Sequence, residues 1–402
     1  MRQRRTIFFA TIALFAISGC ADSPTSNNKK KDDYQVGVYY FPNYHVDKRN
    51  EAYFGKGWTE WELVKAAKPR FANHEQPKVP VWGYTDEADP KQMAQKIAAA
   101  ASHGIDAFIF DWYYYDDGPF LERGLEEGFM KAKNNHLLKF SLMWANHDWE
   151  DIHPYTQGQP HKIVYPGTIT PATWDKMTDM IVDHYFKHPS YWLIDGAPYF
   201  SIYELSKLQE SFGSVEATAA ALAAFRKKTI AAGFKDLNLN AVVWGNPILP
   251  GEKSVTDPAA LVKKLGFDSF TSYVWIHHVP LNDQVVPYDT VKKAYLQYAE
   301  QAIATFSIPY YPNASVGWDP SPRTNQNTPF NNSGYPYTNV IGGNTPEAFK
   351  QGLIDVKEMM DKHNQKVITI NSWNEWTEGS YLEPDVVHKM KYLQAIKTVF
   401  GK

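Results

Sequence analysis

Two rhythms of apolar positions alternate along this chain. From residue 35 onward, short runs of β-branched and aromatic residues are followed by longer stretches with apolar positions every third or fourth residue. The first pattern suits buried strands and the second amphipathic helices. Residues 36–41 are the first expected strand, and a long loop then runs to about residue 85. Asp89 and Pro90 open a helix that ends at Gly104, since Asp caps free N–H groups and proline tolerates the first helical position. Further strands are expected at 107–111, 140–144, 198–203, 239–244, 269–275, near 315–318, and at 367–371. Helices are expected within 119–135, at 170–187 and 214–233, after Asp257-Pro258, and at 287–306, 345–363 and 384–400. Eight such alternations point to an α/β fold, a single (β/α)8 barrel spanning 35–402. A doubly wound open sheet is the alternative. It is disfavoured because no glycine-rich strand-to-helix turn marks a dinucleotide or phosphate site. The stretch 317–343, rich in Pro, Asn, Ser and Thr, reads as a long loop within the barrel, not a linker.

The N-terminus breaks this rhythm. Arg2, Arg4 and Arg5 precede an apolar run over 7–17, too short to span a bilayer comfortably. Ser18 and Gly19 then precede Cys20, the one cysteine of the chain. The pattern resembles a bacterial lipobox. Residues 1–19 are therefore expected to be a lipoprotein signal peptide, with Cys20 lipidated and residues 20–34 a polar tether. The expected location is the cell envelope, at the outer membrane or cell surface, held by that lipid.

Composition narrows the function. With 41 Lys and Arg against 44 Asp and Glu, the chain lacks the basic excess of a nucleic-acid binder. A lone cysteine excludes a disulfide framework and a thiolate zinc site within one chain. His277 and His278 are adjacent, which on a strand aims them at opposite faces, and Asp116-Asp117-Gly118 lacks the alternating acids of a calcium loop. No metal and no cofactor is expected, and the protein is expected to be a monomer. The unusual figure is 13 Trp, 25 Tyr and 22 Phe. Flat rings with polar edges suit sugar faces.

In a barrel the site forms where the strands end at their C-terminal side. Those positions give the candidates. Tyr39, Tyr40, Tyr44 and His45 follow the first strand, Asp111, Trp112 and Tyr113 the second, and Trp144, Asn146, His147 and Trp149 the third. Trp244, Asn246, Tyr273, Trp275 and Trp318 follow later strands, and Trp373, Asn374 and Trp376 the last. Glu375 and Glu378 stand out, two carboxyls three residues apart between tryptophans. Glycoside hydrolysis needs such a pair, one to protonate the leaving oxygen and one to assist attack at the anomeric carbon. Desolvation by tryptophan raises a carboxyl's pKa, as a general acid requires.

Two long motifs carry a family resemblance. Gly55-Lys56-Gly57-Trp58-Thr59-Glu60-Trp61, and Trp373-Asn374-Glu375-Trp376-Thr377-Glu378-Gly379 with Leu382-Glu383-Pro384, resemble the WbsX-type proteins, a group related to glycoside hydrolase family 99. Gly104-Ile105-Asp106 and Trp144-Ala145-Asn146 look similar too, so the resemblance covers about 35–400. It adds Trp58, Glu60 and Trp61 to the expected substrate-binding residues. It also implies a retaining, endo-acting barrel enzyme for α-mannoside-type linkages. By that resemblance Glu375 assists the substrate's 2-hydroxyl as base, and Glu378 is general acid and later base. The route passes through an epoxide-like intermediate.

The expected activity is therefore a cell-surface glycoside hydrolase acting on a complex polysaccharide. A WbsX-type glycosyltransferase of polysaccharide assembly is one alternative, though the chain shows no Asp-x-Asp metal motif. A non-catalytic glycan-binding lipoprotein is the other, and it would tolerate loss of a glutamate pair that is present here.

Overall fold

The computed structural model describes residues 34–401. The expected signal peptide, Cys20 and all of the tether but Tyr34 lie outside the described residues. Eight parallel strand positions build the barrel: β1 (Gln35–Tyr40), β2 (Ala107–Tyr115), β3 (Lys139–Trp144), β4 (Ala197–Ile202), β5 (Asn238–Val242), β6 (Ser269–Thr271), β7 in two pieces (Tyr310–Tyr311 and Asn313–Ser315) and β8 (Val367–Asn371). Each pairs with its neighbour in sequence. The ring closes because the first piece of β7 pairs with β6, the second with β8, and β8 with β1. Small polar side chains link the strands. Asn240 bridges Ser201 and Ser269 at 3.0 and 2.9 Å, and Thr271 lies 3.0 Å from Thr369.

The helix starts follow from their caps. Asp89, Thr170, Ser214, Asp257 and Thr345 each accept a first-turn backbone N–H, and Pro90, Pro171, Pro258 and Pro346 fill the first helical position.

Other expectations need correction. The seventh strand lies before 315–318, split at Pro312, whose missing N–H interrupts a ladder that its carbonyl still serves by accepting from Thr369 at 2.9 Å. The last helix begins at Lys391, not Pro384, because Asp385 accepts the N–H groups of Val387 and His388 and holds a turn there. The segment expected as the second helix starts as a hairpin, Gly118–Phe120 pairing back onto β2 around the Asp116-Asp117 turn. A wide helical turn, Gly124–Phe129, follows. Gly128 is obligatory in it, since a Cβ there would lie 2.0 Å from the Glu87 carbonyl oxygen. Three short helices were not expected: Lys48–Phe54, Trp61–Ala66 and Leu205–Phe212.

Candidate active site

A cavity opens at the C-terminal ends of the strands, and all eight strand ends or the segments that follow them reach it. Phe41 comes from the first, Asp111 and Tyr113 from the second, and His147, Asp148, Trp149, Glu150 and His153 from the third. Tyr203, Ile248 to Pro250, Tyr273 and His277 follow from the next three. Trp318 and Arg323 come after β7, and Glu375 and Glu378 after β8.

Local structure aims the glutamate pair. Residues 374–375 pair with 380–381 in a tight antiparallel arm, joined by one helical turn at Trp376–Glu378. Gly379 completes it with φ of 64°, and a Cβ there would meet Asp319 at 2.7 Å. Both tryptophans of the motif face away from the cavity. Trp373 and Trp376 donate their indole N–H groups to the two oxygens of Glu383 at 2.9 and 2.8 Å, and Lys96 Nζ reaches the same carboxylate at 2.8 Å.

Each member of the pair has its own surroundings. Glu375 Oε2 accepts from Asn371 Nδ2 at 2.9 Å. Burial pushes its carboxyl well above the usual range, and the charges of Glu378 and Asp111 push further. Glu378 Oε1 accepts from Tyr335 Oη at 2.7 Å and from Arg323 Nη1. Burial raises its pKa as well, and Arg323 opposes the rise. Arg323 also donates from Nε to Glu60 Oε1 at 2.7 Å. Burial would raise Glu60, but Arg323, His153 and Thr377 together hold it below the usual range. Asp111 accepts from Tyr273 Oη at 2.8 Å, yet burial and the nearby Glu378 push it well above the usual carboxylate range. Burial keeps three wall histidines neutral, His147 and His153 lowered to about 4 and His277 to about 3.

The structure brings eight expected residues to the cavity: Asp111, Tyr113, His147, Trp149, Tyr273, Trp318, Glu375 and Glu378. Tyr39 is fully buried against the Tyr273 ring, 4.6 Å between centroids. Glu60 reaches the site through Arg323 and through His153, whose Nε2 lies 3.9 Å from Glu60 Oε2. Trp58 is half-buried, stacked on Phe54 and edge-on to His153. Trp244 packs on Tyr203, and Asn246, half-buried, donates its backbone N–H to the His277 carbonyl.

The remaining expected residues do not line the cavity; they hold the rim together. Tyr40 accepts from Lys96 at 3.2 Å, Tyr44 packs on Trp61, and His45 meets Glu87 at 3.0 Å. Trp61, Trp144 and Trp275 donate to the carbonyls of Thr85, Tyr114 and Asn313. Trp112 packs edge-on against Tyr185. Asn374 clasps the backbone of Phe41 from both sides, at 2.8 and 2.7 Å, and Asn146 clasps Glu204 in the same way, at 2.7 and 2.8 Å. Indole N–H and amide groups at strand ends look alike in sequence whether they face a ligand or a neighbouring loop.

Sequence reasoning missed Arg323, Tyr335 and His153. Arg323 and Tyr335 had a usable signal, a cation and a phenol inside the long loop already expected to shape the site. Among the described residues, no group of three or more acids, histidines or cysteines could hold a metal ion.

A family model described as Glycosyltransferase WbsX matches residues 36–396. The chain belongs to the WbsX family. Two curated relatives, both an uncharacterized protein WxcX, come from strains B100 and ATCC 33913 of Xanthomonas campestris pv. campestris. They are 24% and 25% identical over 377 and 378 residues, covering 90% of this chain and 48% of each relative. This WbsX-family chain thus spans about half the length of the curated relatives it matches. Among solved structures it is similar to the GH99 endo-alpha-mannosidase of Bacteroides thetaiotaomicron, with TM-score 0.52, 15% identity, and 91% and 96% of the two chains covered. A structure described as a glycoside hydrolase-like protein superposes with TM-score 0.60 at 16% identity, covering 94% and 97%. These likenesses establish the barrel fold.

Proposed function

We propose that this WbsX-family barrel is a glycoside hydrolase acting on a complex polysaccharide or glycan, endo-acting on α-mannoside-type linkages. The observation that carries it is the placement of Glu375 and Glu378 in one cavity, beside Asp111 and the rings of Trp149, Tyr113 and Trp318. Those rings offer stacking faces and the carboxyls offer proton transfer. In the first step Glu375 takes the proton of the substrate's 2-hydroxyl as that oxygen attacks the anomeric carbon. Glu378 protonates the departing glycosidic oxygen. Water, giving its proton to Glu378, then opens the epoxide-like ring, and Glu375 returns a proton to O2, so configuration is retained. Arg323 and Tyr335 both occupy Oε1 of Glu378, which leaves Oε2 to carry the transferable proton.

The local electrostatics favour a second arrangement of these roles. Arg323 is ion-paired with Glu378 and favours charge there, whereas it acts on Glu375 only at longer range, against burial and the charges of Glu378 and Asp111. The roles of acid and base would then be exchanged. The family's name supports a third reading, transfer of the sugar to an acceptor hydroxyl in place of water.

A digestion screen of purified protein against polysaccharides, reading reducing-end release, tests the hydrolase. Nucleotide-sugar donors run in parallel test transfer. With a substrate found, Glu378→Gln is expected to lose roughly 10²–10⁴-fold on natural glycosides and far less on activated leaving groups, which need no acid. Glu375→Gln is expected to lose activity on both. The opposite pattern exchanges the roles, and near-native turnover in both variants overturns the assignment.

A further inference from the structure

The cavity wall is rich in carboxyls and poor in cations. Asp111, Asp148, Glu150, Glu375 and Glu378 line it, with Arg323 as their counter-charge. Arg323 is already paired with Glu60 and Glu378. Asp148 pairs with Lys207 at 2.8 Å, and Glu150 with His161 at 2.9 Å. Asp111 and Glu375 have no cation within ion-pair distance among the described residues, and Arg323 acts on both only at longer range. Each is held by a neutral donor on one oxygen, Tyr273 on Asp111 Oδ2 and Asn371 on Glu375 Oε2. Asp111 Oδ1 has no partner, although the residue is 2% exposed. A buried carboxyl oxygen without a donor costs free energy that a ligand's donor would recover. The wall histidines, kept neutral by burial, add no positive charge.

Resting on the glycan-binding reading above, we propose that the sugar held at Asp111 and Glu375 carries a free, positively charged amino group. An ammonium offers three donors on one compact charge. It offers donors to the unpartnered Asp111 oxygen and to Glu375, and its charge offsets the burial that pushes both carboxyls toward the protonated form. A hydroxyl supplies the hydrogen bond but not the charge. A carboxylate or sulfate on that sugar adds negative charge where Arg323 is already committed, so acidic sugars are disfavoured here. Burial of the pair strengthens both effects, because interactions between charges weaken less at low dielectric.

The test is direct binding to the purified protein, by calorimetry or tryptophan fluorescence. The probes are common hexoses, their mono-amino deoxy forms with the amine at C2, C3, C4 or C6, the N-acetylated counterparts and the hexuronic acids. At least one amino form is expected to bind on the order of tenfold more tightly than its parent hexose. N-acetylation, which removes the charge, should abolish the gain, and the uronic acids should bind more weakly than the parents. In the isosteric Asp111→Asn the ratio of amino to parent affinity should collapse toward one, whatever the absolute affinities, with melting curves confirming the fold. Equal binding of amino and parent sugars, a preference that survives Asp111→Asn, or no binding by any probe overturns the proposal. Cleavage of neutral glycans without any amine preference would leave the hydrolase standing and remove only this inference. An amine preference without cleavage of any glycan would do the reverse. The position of the preferred amine also bears on chemistry, because an amine at C2 closes the 2-hydroxyl route.

Discussion

Arg323 touches Glu60 and Glu378 at once, and its guanidinium lies over the Phe41 ring, 5.2 Å from the centroid. Burial raises Glu378 and Arg323 pulls it back, so removing the cation should let Glu378 keep its proton to higher pH. In Arg323→Met, the limb of the kcat/KM profile that belongs to Glu378 is expected to move upward in pH. If the alkaline limb moves, Glu378 is the acid; if the acidic limb moves, it is the base. Arg323→Lys, which keeps the charge, should restore much of the native profile. Two unmoved limbs would make Arg323 a packing residue. The carboxyl pair was legible in the sequence as a chemical type at a strand end. The cation that tunes it was not, because Arg323 sits 55 residues from Glu378 along the chain.

Helices announce themselves by their ends. The caps at Asp89, Thr170, Ser214, Asp257 and Thr345 act within one turn, so local sequence suffices to place them. The seventh strand was misplaced because pairing on two sides, not propensity, makes it a strand on either side of Pro312. The arm that carries Glu375 and Glu378 is equally non-local. It is held by Glu383, which receives Trp373, Trp376 and Lys96. Glu383→Gln leaves Lys96, 0% exposed, without its counter-charge and is expected to cost roughly 3–5 kcal/mol. Thermal unfolding should show a lowered midpoint, and Lys96→Met in the same chain should recover part of it by removing the stranded charge. An unchanged midpoint in Glu383→Gln would mean the latch contributes nothing.

For the whole molecule, we propose attachment to the cell envelope through a lipid on Cys20, on the strength of the apolar run and small residues before it. Cys20→Ser should move the protein from the membrane pellet to the soluble fraction, and the absence of palmitate label from the wild type would overturn the idea. Among the described residues no helix is long and apolar enough to cross a membrane. The sequence by itself determined the eight alternations of strand and helix and the loops at the site, because periodicity and capping are local. It also placed Glu375 and Glu378 at the last strand's end. Tertiary structure decided which aromatic and amide side chains face the cavity and which pin the rim. Trp149 and Trp376 are both buried aromatics beside an acid, yet only Trp149 lines the cavity. The reason is physical. Trp376 gives its indole N–H to Glu383, whose charge is met by Lys96 from a distant helix, and that pairing forms only when the barrel closes.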